Sequence, residues 1–410
     1  MRDRLTTLSA LGVAALALSL LAGVPLAQEG DRPMDVARAK ELSTRNNGMG
    51  ISLFKALHEK GRNTFISPTS IAIALQWASL AAEGETKAEM LKMLGVTDLD
   101  LKAGNRSLLD LLANRSDVTL NCANSIWSDD KRVKMNDEFV KDAGTFFDAE
   151  ARNADFSNAK TVEDINAWVS GKTSSRIPKF LDKIDPDVIC YLINAVYFKG
   201  TWTVKFDKKD TKEGDFTLAD GSKKKMAMME LKDEFNFYFG DDCAAVRLNL
   251  GKDKKAAMWF VLPAEDKNLD EFIGELTTGQ VDQWRAKCAQ KDGETKGVVT
   301  MPRFTLGYKK TLNDALKAQG MPRAFDQTKA QFPKLGTTGQ NIFIGRVLHE
   351  AVLEVNEEGA EAAAATAVET HTLSAPETFT INRPFLFFVT DEITGSILFM
   401  GAAHNPEVLK

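Results

Sequence analysis

Cysteine is scarce in this chain of 410 residues. It occurs four times, as Cys122, Cys190, Cys243 and Cys288. None of these forms the CxxC pair of zinc or redox motifs, and the gaps between them are too long for a zinc-binding signature. Four cysteines in a chain of this length also exclude a small disulfide-built scaffold. Cys122 and Cys190 lie in strand-like apolar runs, so we expect buried thiols there.

Histidine is equally scarce, and no catalytic motif surrounds the four that occur, which are His58, His349, His371 and His404. The chain has neither an HExxH metal motif nor the Gly-x-Ser-x-Gly turn of serine hydrolases. A lone Gly-x-Gly at residues 48–50 has no third glycine and predicts no phosphate loop. His349 follows an apolar run and is expected to be a buried, hydrogen-bonded histidine rather than a base. The sequence therefore predicts no metal or cofactor site and gives little support to a hydrolase.

Long apolar runs and basic surfaces are also few. The net charge is −5, and such a mildly acidic chain is not built to bind nucleic acid. One long apolar run, Leu8–Ala27, follows Arg2 and Arg4, the arrangement of a secretory signal peptide. The alternative is an uncleaved membrane anchor, since about 20 apolar residues can span a bilayer. We expect residues 1–27 to be a signal peptide and residues 28–410 to act outside the cytoplasmic membrane, secreted or periplasmic.

The remaining pattern is that of one mixed α+β domain. Helical spacing of apolar residues predicts helices over residues 34–60, 70–82, 87–94, 164–172 and 269–288. Apolar runs predict strands over residues 119–127, 188–198, 244–250, 256–262 and 297–304. Residues 384–401, PFLFFVTDEITGSILFMG, predict two strands buried on both faces and joined by a short turn.

Several motifs in a fixed order give the chain its family resemblance. They are NTFISPTSIAIAL (63–75), EGETKAEM (83–90), LINAVYFKGTWTVKF (192–206), MPRF (301–304), LHEAVLEVNEEGAEAAAAT (348–366) and INRPFLFFVTDEITGSILFMGAAHNP (381–406). In this order and spacing the chain resembles the serpin family, from about residue 33 to its end. The resemblance implies three sheets, about nine helices, a monomer without cofactor, and an exposed reactive loop at about residues 357–381.

The resemblance also implies a function. Most members inhibit serine proteases and some inhibit cysteine proteases, by offering the loop as a substrate. The protease forms an acyl-enzyme, and the cut loop then inserts as a new strand of the main sheet and distorts the protease. Some members of the fold are instead non-inhibitory binding or carrier proteins, which remains the alternative.

The composition of the loop fits insertion. The hinge comprises Glu358, Gly359, Ala360, Glu361, Ala362, Ala363, Ala364 and Ala365. With the period of two of a strand, one face carries Ala360, Ala362, Ala364, Thr366, Val368 and Thr370, and the other carries every charged or titratable group, Glu361, Glu369 and His371. Glycine tolerates the backbone change at the hinge. Inhibitory members commonly have Thr or Ser where this chain has Ala360, and alanine is small enough to insert.

The family spacing from hinge to INRPF places the cleaved bond between Leu373 and Ser374, with Thr372 as the competing position. Leucine there points to chymotrypsin-like or elastase-like proteases. No Lys or Arg lies between Glu357 and Asn382, which disfavours trypsin-like targets.

Five further residues match family positions that control sheet opening. Ser67, Ser70, Asn194 and His349 match the polar cluster beneath the sheet where the strands part. Trp202, in FKGTW, matches the aromatic residue where insertion begins. The resemblance implies no chemistry on the substrate for any of them.

Overall fold

The computed structural model describes residues 35–113, 118–290, 295–358 and 376–408. These residues include nine α-helices: α1 (Val36–Leu57), α2 (Pro68–Leu80), α3 (Gly84–Leu94), α4 (Leu101–Ala113), α5 (Asp137–Phe147), α6 (Lys160–Lys172), α7 (Leu269–Glu275), α8 (Thr278–Gln290) and α9 (Asn313–Ala318). The strands are β1 (Thr64–Ile66), β2 (Val118–Asp129), β3 (Lys134–Met135), β4 (Ala149–Ala154), β5 (Cys190–Gly200), β6 (Lys212–Thr217), β7 (Lys223–Phe239), β8 (Cys243–Leu250), β9 (Ala256–Pro263), β10 (Thr295–Pro302), β11 (Phe304–Thr311), β12 (Gly336–Thr337), β13 (Arg346–Val355), β14 (Glu377–Thr380), β15 (Phe385–Asp391), β16 (Ile397–Ala403) and β17 (Glu407–Val408).

Six strands form the main sheet, in the order β17-β11-β13-β5-β2-β4. Its central pair, β5 and β13, is parallel and in register from Tyr191 opposite Arg346 to Phe198 opposite Leu353. The strands on either side of this pair, β2 and β11, run antiparallel to β5 and β13 respectively. We call the β5–β13 pairing the central junction.

A second sheet has nine strands, in the order β1-β16-β15-β9-β8-β7-β10-β14, with β6 paired to β7. Every residue of β9, β15 and β16 is buried, as expected for strands covered on both faces. A third sheet pairs β3 with β12. The predicted α+β fold with three sheets is confirmed.

The main sheet lies between two apolar layers. On one face Phe198 and Leu353 share a core with residues of the second sheet such as Phe385. On the other face Ile193 packs with Val169 of α6. Asn194, one position along β5 from Ile193, therefore faces the same side as Phe198.

Helix α2 lies beneath the main sheet and is buried along almost its whole length. Ser67 caps it by accepting a hydrogen bond from Ser70 N–H, and Pro68 occupies the first turn, where its missing N–H costs nothing. The helix is buried on every side and mostly apolar, as a helix in the interior of a large protein is.

Most of the predicted elements are present, and two are divided. The helix predicted over 269–288 is two helices, α7 and α8. Thr277 Oγ1 accepts from Gln280 N–H at 3.2 Å, and Gln280 Oε1 accepts from Thr277 N–H at 2.8 Å. This reciprocal pair is a capping box, which starts a new helix.

The strand predicted over 297–304 is divided at Arg303. Strand β10 pairs with β7 in the second sheet and β11 pairs with β13 in the main sheet, so the chain changes sheets there. Pro302 is paired with Met228, and Arg303 N–H still donates to Ala227 O of β7 at 2.8 Å before the chain enters β11.

The four cysteines all lie in the described residues and form no disulfide. Cys190, Cys243 and Cys288 are buried, as was expected of Cys190, whereas Cys122 is half-buried. Burial raises the pKa of Cys190 to about 12, so this thiol is unreactive at neutral pH.

In the residues described, no helix is both long and apolar enough to span a bilayer. The predicted signal peptide lies outside those residues.

Candidate functional site

A row of polar side chains crosses the main sheet beneath the central junction. Asn124 of β2, Asn194 of β5 and His349 of β13 are opposite one another in the strand register. Each is almost fully buried, with at most 2% of its surface exposed. Ser70 of α2, also buried, completes the group. We call these four residues the junction cluster.

Asn194 is at the centre of the junction cluster. Its Nδ2 donates to Ser70 Oγ at 2.6 Å and to Asn124 Oδ1 at 2.5 Å. Its Oδ1 is 2.6 Å from His349 Nδ1. One amide thereby connects β5 to α2, to β2 and to β13. Separating β5 from β13 breaks the bond between Asn194 and His349. A buried polar group that loses its partner costs about 1–3 kcal/mol, so this bond opposes opening of the sheet.

His349 is uncharged in this environment. Complete burial lowers its pKa from 6.5 to about 3, and a contact with the backbone of Phe65 acts in the opposite direction. The neutral ring can donate from Nδ1 to Asn194 Oδ1, because an amide oxygen can only accept a hydrogen bond. The expectation that His349 is a buried, hydrogen-bonded histidine is confirmed.

The five residues predicted to control sheet opening are not all in one cluster. Ser70, Asn194 and His349 do lie together. In the described chain, Ser67 is linked to them only through the backbone of Ser70, and its Oγ donates to Leu398 O of β16 at 2.6 Å. Asn124 was not predicted as a member. The sequence did indicate Asn124 in one way, because it is an amide within the apolar run of β2.

Trp202 lies at the end of the central junction nearest the loop. Its side chain is buried, its Nε1 donates to Asn356 O at 2.8 Å, and its ring meets Phe206 edge-on at 5.9 Å. Asn356 directly follows β13, so Trp202 holds the chain just before the predicted hinge.

Glu357 is a second anchor at this end. Its carboxylate is buried, accepts a hydrogen bond from Thr211 Oγ1 at 2.8 Å and is 3.7 Å from Arg303 Nη1. Its carbonyl oxygen accepts from Phe206 N–H at 3.1 Å. Sequence reasoning did not single out Glu357, because a glutamate beside Glu358 gives no sign of being buried. Glu358 itself is more exposed and pairs with Lys208.

The reactive bond and most of the hinge lie outside the described residues. These are the cleavage positions Leu373 and Ser374, the alternative Thr372, and the hinge residues Gly359 to Ala365. The described chain ends at Glu358 and resumes at Pro376, just before β14, which pairs parallel with β10. The loop is therefore bounded on one side by the Trp202 and Glu357 anchors and on the other by the second sheet.

Comparison with known proteins agrees with this arrangement. Residues 44–406 match the family model Serpin (serine protease inhibitor). The chain is 32% identical over 383 residues to the human leukocyte elastase inhibitor, covering 90% of this chain and 100% of that protein. It is 33% identical over 377 residues to human Serpin B8, covering 89% and 100%.

Among solved structures, the native form of the thermophilic serpin tengpin is 30% identical and superposes with a TM-score of 0.80, covering 89% of this chain and 94% of that one. The residues matched by the family model, 44–406, include the junction cluster and both anchors of the loop. The chain belongs to the serpin family.

Proposed function

We propose that this protein is a suicide-substrate inhibitor of serine proteases with chymotrypsin-like or elastase-like specificity. The observation that carries the proposal is the central junction: two parallel strands, paired directly, with a hinge of small residues immediately after one of them. A strand entering between β5 and β13 from the end of β13 runs antiparallel to both. It replaces one parallel ladder with two antiparallel ladders, which are slightly more stable per residue.

The chemistry belongs to the protease. Its active-site serine attacks the carbonyl carbon of Leu373, the bond to Ser374 breaks, and Leu373 remains joined to the enzyme as an ester. Leu373 is fourteen positions after Gly359. At roughly 3.3 Å per residue in a strand, full insertion carries the attached protease about 45 Å.

The free energy of insertion is sufficient to hold the protease. A new central strand adds on the order of ten or more backbone hydrogen bonds, each contributing about 0.5–1.5 kcal/mol. Loss of one oxyanion-hole donor alone costs a serine protease roughly 100-fold or more in rate. A small part of the insertion free energy is therefore enough to distort the protease active site and stop hydrolysis of the ester.

The partners under this proposal are serine proteases outside the cytoplasmic membrane, each bound covalently by one monomer. The leucine at 373 supports the specificity, and the basic start and apolar run of residues 1–27 support the compartment. The run of small, uncharged residues Ala362–Ala365 argues against a carrier function, for which the loop need not insert.

The proposal is tested by mixing the protein with chymotrypsin and with an elastase. We expect a covalent complex that survives denaturing electrophoresis, and mass spectrometry should locate the cut at Leu373–Ser374. Cleavage of the loop should also raise the melting temperature steeply, because the inserted strand is new structure. Cleaved product without any complex, together with an unchanged melting temperature, would refute the inhibitory function.

Leu373→Arg should redirect inhibition to trypsin, because the pocket of trypsin carries an aspartate that pairs with a basic residue. We expect complex formation with trypsin to rise by roughly 100-fold or more and that with chymotrypsin to fall. The change is read from inhibition rates with both enzymes. Thr372→Arg is the matched variant, and if it is the one that gains trypsin inhibition, the cut is one residue earlier.

Ala360→Arg should turn the inhibitor into a substrate. Residue 360 lies on the face of the inserting strand that is predicted to be buried, and an unpaired buried charge costs several kcal/mol. Insertion then becomes slower than hydrolysis of the ester. The ratio of complex to cleaved protein measures this, and Ala360→Thr, the residue common in the family, should keep the ratio of the original protein.

Glu357→Lys should destabilise the closed main sheet. The change places a cation beside Arg303 in a buried position, and breaking such a pair costs on the order of 3–5 kcal/mol. We expect spontaneous conversion to an inactive, heat-stable form or to polymers during mild heating, measured by native electrophoresis. Glu358→Lys makes the same change of charge at an exposed pair and should convert much less. Equal conversion of both variants would contradict the role of Glu357.

The closed form should become less stable as the pH falls below about 6.5. The pKa of His349 is lowered to about 3 in the closed form, so between these values an opened or unfolded chain binds a proton that the closed form does not. The contribution of neutral His349 to the stability of the closed form is therefore present in full above pH 6.5 and is lost progressively towards pH 3. Melting temperatures at pH 7.5 and pH 5 should differ less for His349→Gln than for the original protein. His371→Ala, outside the junction cluster, should keep the original difference.

A further inference from the structure

Three side chains from distant parts of the sequence meet at one corner of the molecule. They are His58, which follows α1, Asp270, in the first turn of α7, and His404, just after β16. His58 Nε2 is 2.7 Å from Asp270 Oδ1, and His404 Nε2 is 3.2 Å from the same oxygen. The two imidazole rings are stacked with their centres 5.5 Å apart. None of the three residues belongs to the junction cluster or to the loop anchors.

His404 is the unusual member of the group. Only 3% of its side chain is exposed, yet neither ring nitrogen has a hydrogen-bond partner among the described residues. Its Nε2 is near Asp270 Oδ1 but is not oriented to form a hydrogen bond with it. A buried polar group without a partner is rare in native proteins and calls for an explanation.

The charges at this corner suit a cation. Within the described chain, the ion pairs of Asp270 are both with histidines, so no lysine or arginine occupies the carboxylate. Burial alone would raise the pKa of Asp270, but hydrogen bonds from Gly61 N–H and His58 hold it below its ordinary value. The corner thus presents one carboxylate and two imidazoles, which are ligand types that transition-metal ions use.

We propose that His58 Nε2, His404 Nε2 and the Asp270 carboxylate form a binding site for a divalent transition-metal ion of the zinc type. The three ligand atoms all lie within 4.8 Å of one another. Two ligands about 2.0–2.1 Å from a tetrahedral ion are roughly 3.3 Å apart, so small side-chain movements suffice to admit the ion. Two imidazoles and one carboxylate select zinc-like ions over calcium or magnesium, which prefer oxygen ligands. The fourth position is left for water.

Neighbouring groups hold two of the ligands in place. His58 Nδ1 is 3.1 Å from Thr64 Oγ1, so with a metal ion on Nε2 the remaining N–H donates to that hydroxyl. Gly61 N–H donates to Asp270 Oδ1 at 3.0 Å. Such outer hydrogen bonds orient ligands and fix the tautomer in known zinc sites.

An ion here would connect three segments that are far apart in the chain. His58 and His404 follow α1 and β16, and Thr64 belongs to β1, which pairs with β16. Because the ligands do not converge in an unfolded chain, binding stabilises the folded protein. The inference does not depend on the proposed inhibitory function.

The test is a titration of the purified, metal-free protein with Co²⁺ and Zn²⁺. We expect one equivalent of Co²⁺ to bind with the visible absorption of a tetrahedral ion and to be displaced by Zn²⁺. Zn²⁺ should raise the melting temperature by several degrees, and EDTA should reverse the rise. If Co²⁺ gives no such absorption and Zn²⁺ leaves the melting temperature unchanged, the site does not exist.

Variants assign the ligands. Asp270→Asn keeps the shape and the acceptor for Gly61 N–H but removes the charge, and it should weaken Co²⁺ binding on the order of 100-fold. His404→Gln should do the same. His371→Ala removes a histidine outside the cluster and should bind as the original protein does. If His404→Gln does not fold, Asp270→Asn decides alone. Unchanged binding in Asp270→Asn, or binding lost in His371→Ala, would place the ion elsewhere and overturn the proposal.

Discussion

The bond between Asn194 and His349 is the constraint on which the closed main sheet depends. It joins the side chains of two parallel strands at the place where those strands are opposite each other. The same amide holds Ser70 and Asn124, so opening the sheet disturbs β2 and α2 as well. A purely apolar contact there would be lost gradually as the strands moved apart. A buried hydrogen-bond network is lost in one step, which gives the closed form a barrier rather than only a preference.

The proposed insertion mechanism requires a closed form that is less stable than the inserted one, and such a barrier would let it persist. The parallel pairing of β5 and β13 is open to replacement by two antiparallel ladders, and the segment able to form them is attached to the end of β13. Trp202 and Glu357 hold the chain just before this segment, through Asn356 O and through Thr211 and Arg303. In the proposed inhibitory mechanism, these polar contacts at the middle and at the end of the central junction keep the strands together until the loop is cut.

The alanine-rich hinge and the histidine corner break local rules for different reasons. Alanine favours helix, yet the hinge residues follow β13 in the sequence, and the proposed insertion between β5 and β13 accounts for their small side chains. The ring of His404 is buried, yet neither of its nitrogens has a hydrogen-bond partner among the described residues. Departures of this kind are expected where a protein binds something or changes shape.

Local pattern determined much of the fold. The apolar runs of β15 and β16, the cap and apolar length of α2 and the order of the family motifs are all properties of neighbouring residues, so the sequence alone identified them. The capping box at Thr277 was also local, although the division between α7 and α8 was not predicted.

Contacts between distant residues decided the rest. Nothing near Asn124 indicates that it is opposite Asn194, because that follows from strand register, and nothing near Arg303 indicates a change of sheet. His58, Asp270 and His404 are separated by more than 130 residues in each step, and read singly the two histidines looked like a helix end and a terminal residue. Their meeting results from the pairing of β1 with β16 and the packing of α7, which only the tertiary structure sets.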